Sequence, residues 1–331
     1  MRRAESVVAL AAEMTDAKKT PEATLRAGTV ALIGRTNVGK STLLNAALEL
    51  PLAIVSRKPQ TTRSRLLGVV QHAGAEVGLL DTPGLHRAKD RLGKEMNRTA
   101  RAAAADADVV VFVVALPARA QGEIKPHGGD LQLLEQMPED LPIVLVINKI
   151  DLLKDKSRLL PFIDAYAKHR ELAAVVPISA LRSDGISRVL DEVAKLLPAG
   201  ERRHEEDEIT DRPMRYFAAE YVREPILAAT GQEVPHAVAV TVDEYSESPD
   251  GGLVDISVTI HVERTGQKRI IIGDKGKVLK RVGISARQRI EQLLGRQVNL
   301  QLWVRVTEGW RDNPGKLADF GLMGRGDGTG R

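Results

Sequence analysis

Gly34-Arg35-Thr36-Asn37-Val38-Gly39-Lys40-Ser41 decides the fold. The stretch follows the pattern G-x-x-x-x-G-K-[ST] and stands between an apolar run at 29–33 and a helical pattern at 40–50, the setting in which this pattern cradles phosphates. Its glycines let backbone N–H groups curl around an anion, and the helix N-terminus adds a positive end. Lys40 reaches the β- and γ-phosphates, and the Ser41 hydroxyl reaches Mg2+. A glycine-rich turn without a ligand is the plain alternative, and the strand–turn–helix context argues against it. Outward from this loop, apolar runs at 76–80, 109–114, 143–147 and 174–178 alternate with helical patterns at 92–105 and 186–197. That alternation predicts an α/β domain, a mostly parallel sheet with helices on both faces.

Asp81-Thr82-Pro83-Gly84 follows the second of these strands. A carboxylate at a strand's C-terminal end can hold Mg2+ through water, and the Gly84 N–H can sense a γ-phosphate. Asn148-Lys149-Ile150-Asp151 then selects the base. Asp151 can accept from guanine N1–H and N2–H2, donors that adenine lacks, and a buried unpaired carboxylate discriminates strongly. Asn148 braces the phosphate loop and the base, and the Lys149 stem lies along the ring. Ser179-Ala180, after the 174–178 strand, offers a backbone N–H to guanine O6. Four motifs in this order read as a GTP site.

The 331 residues suit about two domains. A hydrophobic content of 43% supplies cores, and the absence of cysteine excludes disulfides, thiolate metal sites and a cysteine nucleophile. Aromatics at 3% exclude a broad base-stacking platform. No segment approaches the length of a bilayer span, and the run at 7–12 is too short for a secretory signal, so a cytoplasmic location is expected. The Arg325-Gly326-Asp327 tripeptide reads as chance. Residues 1–27 read as a mobile extension with one frayed helix at 4–14, and 315–331 as a flexible tail.

The net charge of +4 hides a dipole along the chain. Residues 201–254 carry a net of −8 and residues 255–311 a net of +7, which points the second region at a polyanion. A domain at 28–198 and an acidic linker at 199–212 precede a region at 213–314 with a different rhythm. There a helix at 213–229 leads to alternating strands at 237–245 and 253–262, joined by the turn Ser248-Pro249-Asp250-Gly251-Gly252. The segment 269–272 runs into Gly273-Asp274-Lys275-Gly276, a basic helix at 277–294 and a last strand at 297–306. The order is α-β-β-α-α-β. Trp303, on that last strand, is expected in the core.

This second order, with a G-x-x-G turn before a basic helix, resembles a type II KH domain. The resemblance implies that single-stranded RNA approaches the turn, with Ile272, Gly273, Asp274, Lys275, Gly276, Lys277, Lys280 and Arg281 at the interface and Ile271 and Val278 under the bases. Asp274 departs from an all-basic clamp. The first region, with Ser56-Arg57-Lys58-Pro59-Gln60-Thr61-Thr62-Arg63, resembles the Era family of ribosome-assembly GTPases over residues 28–314. The resemblance implies a P-loop GTPase domain followed by the KH domain, with GTP and GDP as ligands and Mg2+ held by Ser41, Asp81 and an effector-loop threonine. Thr61 and Thr62 both qualify, and Thr62 is preferred.

The resemblance further implies the 3′ end of 16S rRNA and the 30S subunit as partners, a role in 16S processing, a monomer, and at most a peripheral membrane contact. Leu85 occupies the place where related GTPases carry a water-orienting glutamine, so slow hydrolysis is expected. Asn37 stands where some relatives hold K+; ordinary loop geometry is the alternative. Thr36, where relatives usually have proline, and Ala115-Leu116 are departures that touch no phosphate contact. One set of nucleotide motifs argues against a double-G-domain GTPase. A nucleotide-sensing RNA-binding scaffold with little turnover is the alternative to an efficient enzyme.

Overall fold

The computed structural model describes residues 25–117, 124–205, 207–231, 234–248 and 251–323. The expected helix at 4–14, the Arg325-Gly326-Asp327 tripeptide, and Pro249 and Asp250 of the hairpin lie outside them.

The first half is one six-stranded sheet in the order β2-β3-β1-β4-β5-β6, built from β1 (Arg26–Ile33), β2 (Leu66–His72), β3 (Ala75–Asp81), β4 (Val109–Ala115), β5 (Ile143–Asn148) and β6 (Ala174–Pro177). Strands β3, β1, β4, β5 and β6 run parallel, and β2 joins the edge antiparallel to β3. The 66–72 strand escaped the sequence reading because it pairs through the tight turn at Ala73-Gly74 rather than through a crossover helix. Both sheet faces are dry, which is why these strands read as continuous apolar runs. Val30, Leu32, Val111 and Val113 face α1 (Lys40–Leu48) and α5 (Ile186–Leu196). Ala31, Ile33, Phe112 and Val114 face α2 (Arg91–Ala105), α3 (Gly128–Glu135) and α4 (Leu159–Ala167). The chain reverses direction about β1, so the loops after β1 and β3 meet at the strands' carboxyl ends, where open α/β sheets bind ligands.

The second half packs α6 (Met214–Ala229) and α8 (Lys277–Leu294) on one face of a sheet ordered β7-β8-β9. Its strands are Ala239–Glu247, Leu253–Val262 and Gln297–Val306, with β8 antiparallel to β7 and parallel to β9. The stretch before the G-x-x-G turn is a full helix, α7 (Thr265–Ile272), longer than the segment expected there. A short helix, α9 (Pro314–Asp319), follows β9 and corrects the expected flexible tail at 315–331 in its first part, because Leu317 is buried and packs with Trp310.

The acidic linker at 199–212 is strapped to the first half: Gly200 N–H donates to Leu25 C=O, Arg203 pairs with Asp108, and His204 meets the buried Glu76 at 2.9 Å. Charged residues of the linker are thus partners for specific side chains of the first half. Trp303 is 61% exposed on the face of β9 turned away from the helices, so alternation was right and the face was wrong. The buried indole is Trp310, whose Nε1–H donates to Ala237 C=O. No helix among the described residues is long and apolar enough to cross a membrane.

Candidate functional site: a phosphate-loop cavity and a groove behind the G-x-x-G turn

The loop after β1 wraps Lys40, which is 6% exposed and donates to Gly34 C=O at 3.0 Å and Arg35 C=O at 3.1 Å. Burial lowers its pKa to about 8, against the pull of Asp81 and Asp130. The ammonium is thus held without a carboxylate in contact and is free to exchange carbonyls for phosphate oxygens. Gly39 has φ 104°, and a Cβ there would lie 2.2 Å from Asn148 Nδ2, so the loop can press against the base-selecting segment only with glycine.

Ser41, Asp81 and Thr62 converge. Ser41 Oγ lies 2.6 Å from Asp81 Oδ2 and 2.9 Å from Thr62 Oγ1, and Thr62 Oγ1 lies 3.2 Å from Asp81 Oδ2. Asp81 is fully buried, its pKa is raised by burial, and its Oδ1 has no partner. An orphaned carboxylate oxygen beside two hydroxyls is a hard-oxygen donor set that fits Mg2+, an ion that takes one carboxylate and completes its shell with phosphate and water. Thr61 points elsewhere: its hydroxyl donates to Lys58 C=O at 2.8 Å and its carbonyl accepts from Arg223.

At the base end, Asn148 Nδ2 donates to Val38 C=O at 2.8 Å, and its Oδ1 accepts from Lys149 N–H and Ala180 N–H. Lys149 Nζ reaches Asn37 C=O at 2.7 Å, and Asp151 Oδ1 accepts from Ser179 Oγ at 2.6 Å. Ile150 is buried beneath them. Thr82 Oγ1 donates to Leu32 C=O, Pro83 is buried, and Leu85 N–H donates to Gly34 C=O. Leu85 is 6% exposed and turns into the core, so it offers nothing to a water molecule. Asn37 has φ 63° and its Nδ2 donates to Arg57 C=O at 3.0 Å. Thr36, Asn37, Lys40, Ser41, Thr62 and Gly84 line one cavity of about 480 Å³.

Arg35 lies at the rim of this loop, 3.8 Å from the buried Asp130. Asp130 is the first residue here that the sequence reading missed; it lies in the first turn of α3, and no motif marks it. Gln60 is the second. It lines the same cavity and its side chain joins His86 and His236.

In the second half, Gly273 has φ 73° and Gly276 φ 78°, with Lys275 between them at φ 47°. Lys275, Lys277, Lys280 and Arg281 are exposed, and Lys277 pairs with Asp274 at 3.1 Å, so the acid in the clamp is partly neutralised by its own helix. Ile272 and Val278 are half-buried, whereas Ile271 is fully buried and supports the groove from within. The groove proper, about 440 Å³, lies between α8 and β9 and is lined by Gly276, Leu279, Lys280, Gly283, Ile284 and Leu302 among others. Leu279, Gly283 and Ile284 were missed. Their spacing from Gly276 places them on one helix face, a signal the sequence carried.

Residues 29–149 match the family model of the 50S ribosome-binding GTPases, and residues 233–311 match the KH domain. The chain is 43% identical to GTPase Era of Xanthomonas campestris pv. campestris (strain B100) over 297 residues, 89% of this chain and 97% of that one. It is 45% identical to GTPase Era of Geotalea uraniireducens, over 91% and 99%. A crystal structure of an Aquifex aeolicus Era variant bound to GDP·AlF4− superposes with a TM-score of 0.85 at 39% identity, covering 90% of this chain and 99% of that one. A crystal structure of Era in complex with MgGDPNP and nucleotides 1506–1542 of 16S ribosomal RNA gives the same score and coverage at 40% identity. With the phosphate loop, the guanine-selecting segment and the G-x-x-G turn in one chain, and likeness along nearly its whole length, the chain belongs to the Era family of GTPases.

Proposed function

We propose that this GTPase hydrolyses GTP slowly with Mg2+ and binds the 3′-end region of 16S rRNA through its KH domain, acting in 16S processing and 30S subunit biogenesis. One observation carries the reading: the convergence of Ser41, Thr62 and the orphaned Asp81 oxygen in a chain that also holds an exposed basic groove over a G-x-x-G turn. Residues Gly34 to Ser41 hold the phosphates, Asp81 to Leu85 frame the γ-phosphate, and Asn148, Lys149, Ile150, Asp151, Ser179 and Ala180 hold guanine. Mg2+ at Ser41, Thr62 and Asp81 would draw charge from the β- and γ-phosphate oxygens. Lys40 and the Gly84 N–H take the charge that develops on the γ-phosphoryl group. K+, held beside Asn37, would supply further positive charge next to the phosphates.

The buried Leu85 specifically favours a second reading, an RNA-binding scaffold that senses nucleotide with little turnover. Phosphate release in KCl and in NaCl, with and without a 16S 3′-end oligonucleotide, separates the two. A rate raised by both K+ and RNA is expected. A rate indifferent to RNA leaves the scaffold, and equal rates in the two salts remove K+.

A further inference from the structure

The effector loop is held in place by the RNA-binding half at several successive residues. Gln60 has φ 61°, a left-handed backbone that is strained for a non-glycine residue. Such strain persists only where the surroundings over-determine it. Here the side-chain amide is gripped at both ends. Its Oε1 accepts from His236 Nδ1–H at 2.9 Å, and its Nε2 donates to His86 Nε2 at 2.6 Å. His86 in turn donates from Nδ1 to Gly84 C=O at 2.9 Å. This donor order places hydrogen on Nδ1 of both imidazoles. Burial, with Arg63 and Arg311 nearby, lowers the His236 pKa and keeps that ring neutral.

The Thr61 carbonyl accepts from Arg223 of α6. Arg63 is 4% exposed and donates to the carbonyls of Val238, Pro235 and His236. A buried guanidinium is costly unless its hydrogen bonds are made, so an open loop would strand Arg63 or expose it. Val234–Ala237 is a short 3₁₀ turn of the RNA-binding half. It therefore holds the residues on both sides of Thr61-Thr62, and Thr62 carries the hydroxyl that reaches Ser41 and Asp81.

We propose that the turn Val234–Ala237 is an intramolecular clasp that closes the effector loop for hydrolysis, with Gln60, Arg63 and His236 as positioning residues that act through Thr62 and Gly84. The inference rests on the assignment of Thr62 to Mg2+ and of Gly84 to the γ-phosphate, and does not depend on RNA.

The test uses the full-length chain without RNA, in Mg2+ and KCl. Gln60→Gly keeps the left-handed backbone at no steric cost and deletes both side-chain bonds. His236→Ala deletes one of them. Each is expected to lower kcat for GTP about tenfold, the worth of a lost buried hydrogen bond, with KM and GDP affinity changed less than about twofold. The double variant is expected to be no slower than the slower single, because both cut one chain of contacts. His236→Gln, which returns an amide donor, is expected to recover part of the rate. Wild-type rates, multiplying effects, or an equal loss of GDP affinity overturn the clasp. Thr62→Ala serves as the control on the underlying assignment. If it leaves the Mg2+ dependence of GTP-analogue affinity intact, the assignment of Thr62 has failed. If it abolishes that dependence while Gln60→Gly and His236→Ala act as wild type, the clasp has failed.

Discussion

At the nucleotide cavity the polar groups are buried and held by hydrogen bonds, with one Asp81 oxygen left over: Lys40, Asp81, Asn148 and Ser179 are each less than a tenth exposed, and each makes at least one hydrogen bond. At the G-x-x-G turn and the start of α8, Lys275, Lys277, Lys280 and Arg281 stand in solvent; Lys280 lines the groove between α8 and β9, Arg281 lines a separate cavity against Lys58 and Glu224, and Lys277 pairs with Asp274. The first arrangement demands specific side chains, since a wrong group there is left unpaired in a dry place. The second demands a sign of charge and a shape, which several residues supply in parallel. Base discrimination should therefore collapse on one substitution at the cavity, whereas RNA affinity should erode by small steps at the groove.

The sharpest test of that contrast is Asp151→Asn. An amide presents donors where guanine N1–H and N2–H2 also donate, so GTP affinity is expected to fall by about 10⁴-fold, the discrimination seen when a site's hydrogen bond goes unmade. Xanthine nucleotide, which offers an acceptor at C2, should bind the variant better than GTP does. Competition titrations with GTP and XTP read both effects. A loss under tenfold would mean that the carboxylate is held by Ser179 and not by the base.

The two indoles divide in the same way, as one buried and one free. Trp310 is packed with Leu92, Met96 and Leu317, with Arg63 over its ring at 5.7 Å. Trp310→Ala is expected to cost about 3–5 kcal/mol. Trp303→Ala is expected to cost less than about 0.5 kcal/mol, as at other exposed positions. Urea midpoints of the two variants measure the difference, and comparable losses would mean that the outer face of β9 is covered in solution.

His261 extends the comparison to a buried titratable group outside either site. It is 7% exposed, packs against Phe320 at 4.4 Å between ring centroids, and burial lowers its pKa to about 4. Its unfolded value is about 6.5, so between these limits the unfolded chain binds the extra proton. The contribution is fully present above about pH 6.5 and is lost as pH falls toward 4, by at most about 3 kcal/mol. His261→Gln should flatten that part of the stability profile relative to wild type. Parallel profiles for the two proteins would place the acid sensitivity elsewhere.

The buried cavity was readable because each of its residues sits at a fixed distance along the chain from a strand end, and strand ends in a parallel sheet fall on one edge. Lys40, Asp81, Asn148 and Ser179 needed no three-dimensional knowledge to be brought together. Asp130 and Gln60 come from a helix and a loop with no such spacing rule, so no motif marked Asp130, and the effector-loop stretch that contains Gln60 gave it no role of its own. Trp303 shows the other limit. An alternating strand has two faces, and only the packing of α6 and α8 on one side of the sheet tells which face is wet. The strapped 199–212 linker is a third case, since its composition named no partner and its charges meet side chains as distant as Glu76 and Asp108.

The smallest effect is expected at the groove. Lys280 is exposed on the α8 face that carries Gly276, Leu279 and Gly283, with no ion pair among the described residues. Contacts to phosphate are electrostatic and add nearly independently, so Lys280→Ala should weaken RNA binding only a few-fold and equally for every sequence. The slope of log affinity against log salt should fall by about 0.7, the value for one phosphate on a single strand. Fluorescence anisotropy with the 16S 3′-end oligonucleotide and a scrambled control, across a salt series, provides both numbers. A loss confined to the 16S sequence, with an unchanged slope, would place Lys280 on a base edge. The groove would then share the specificity of the nucleotide cavity, and the contrast between the two regions would fail at that residue.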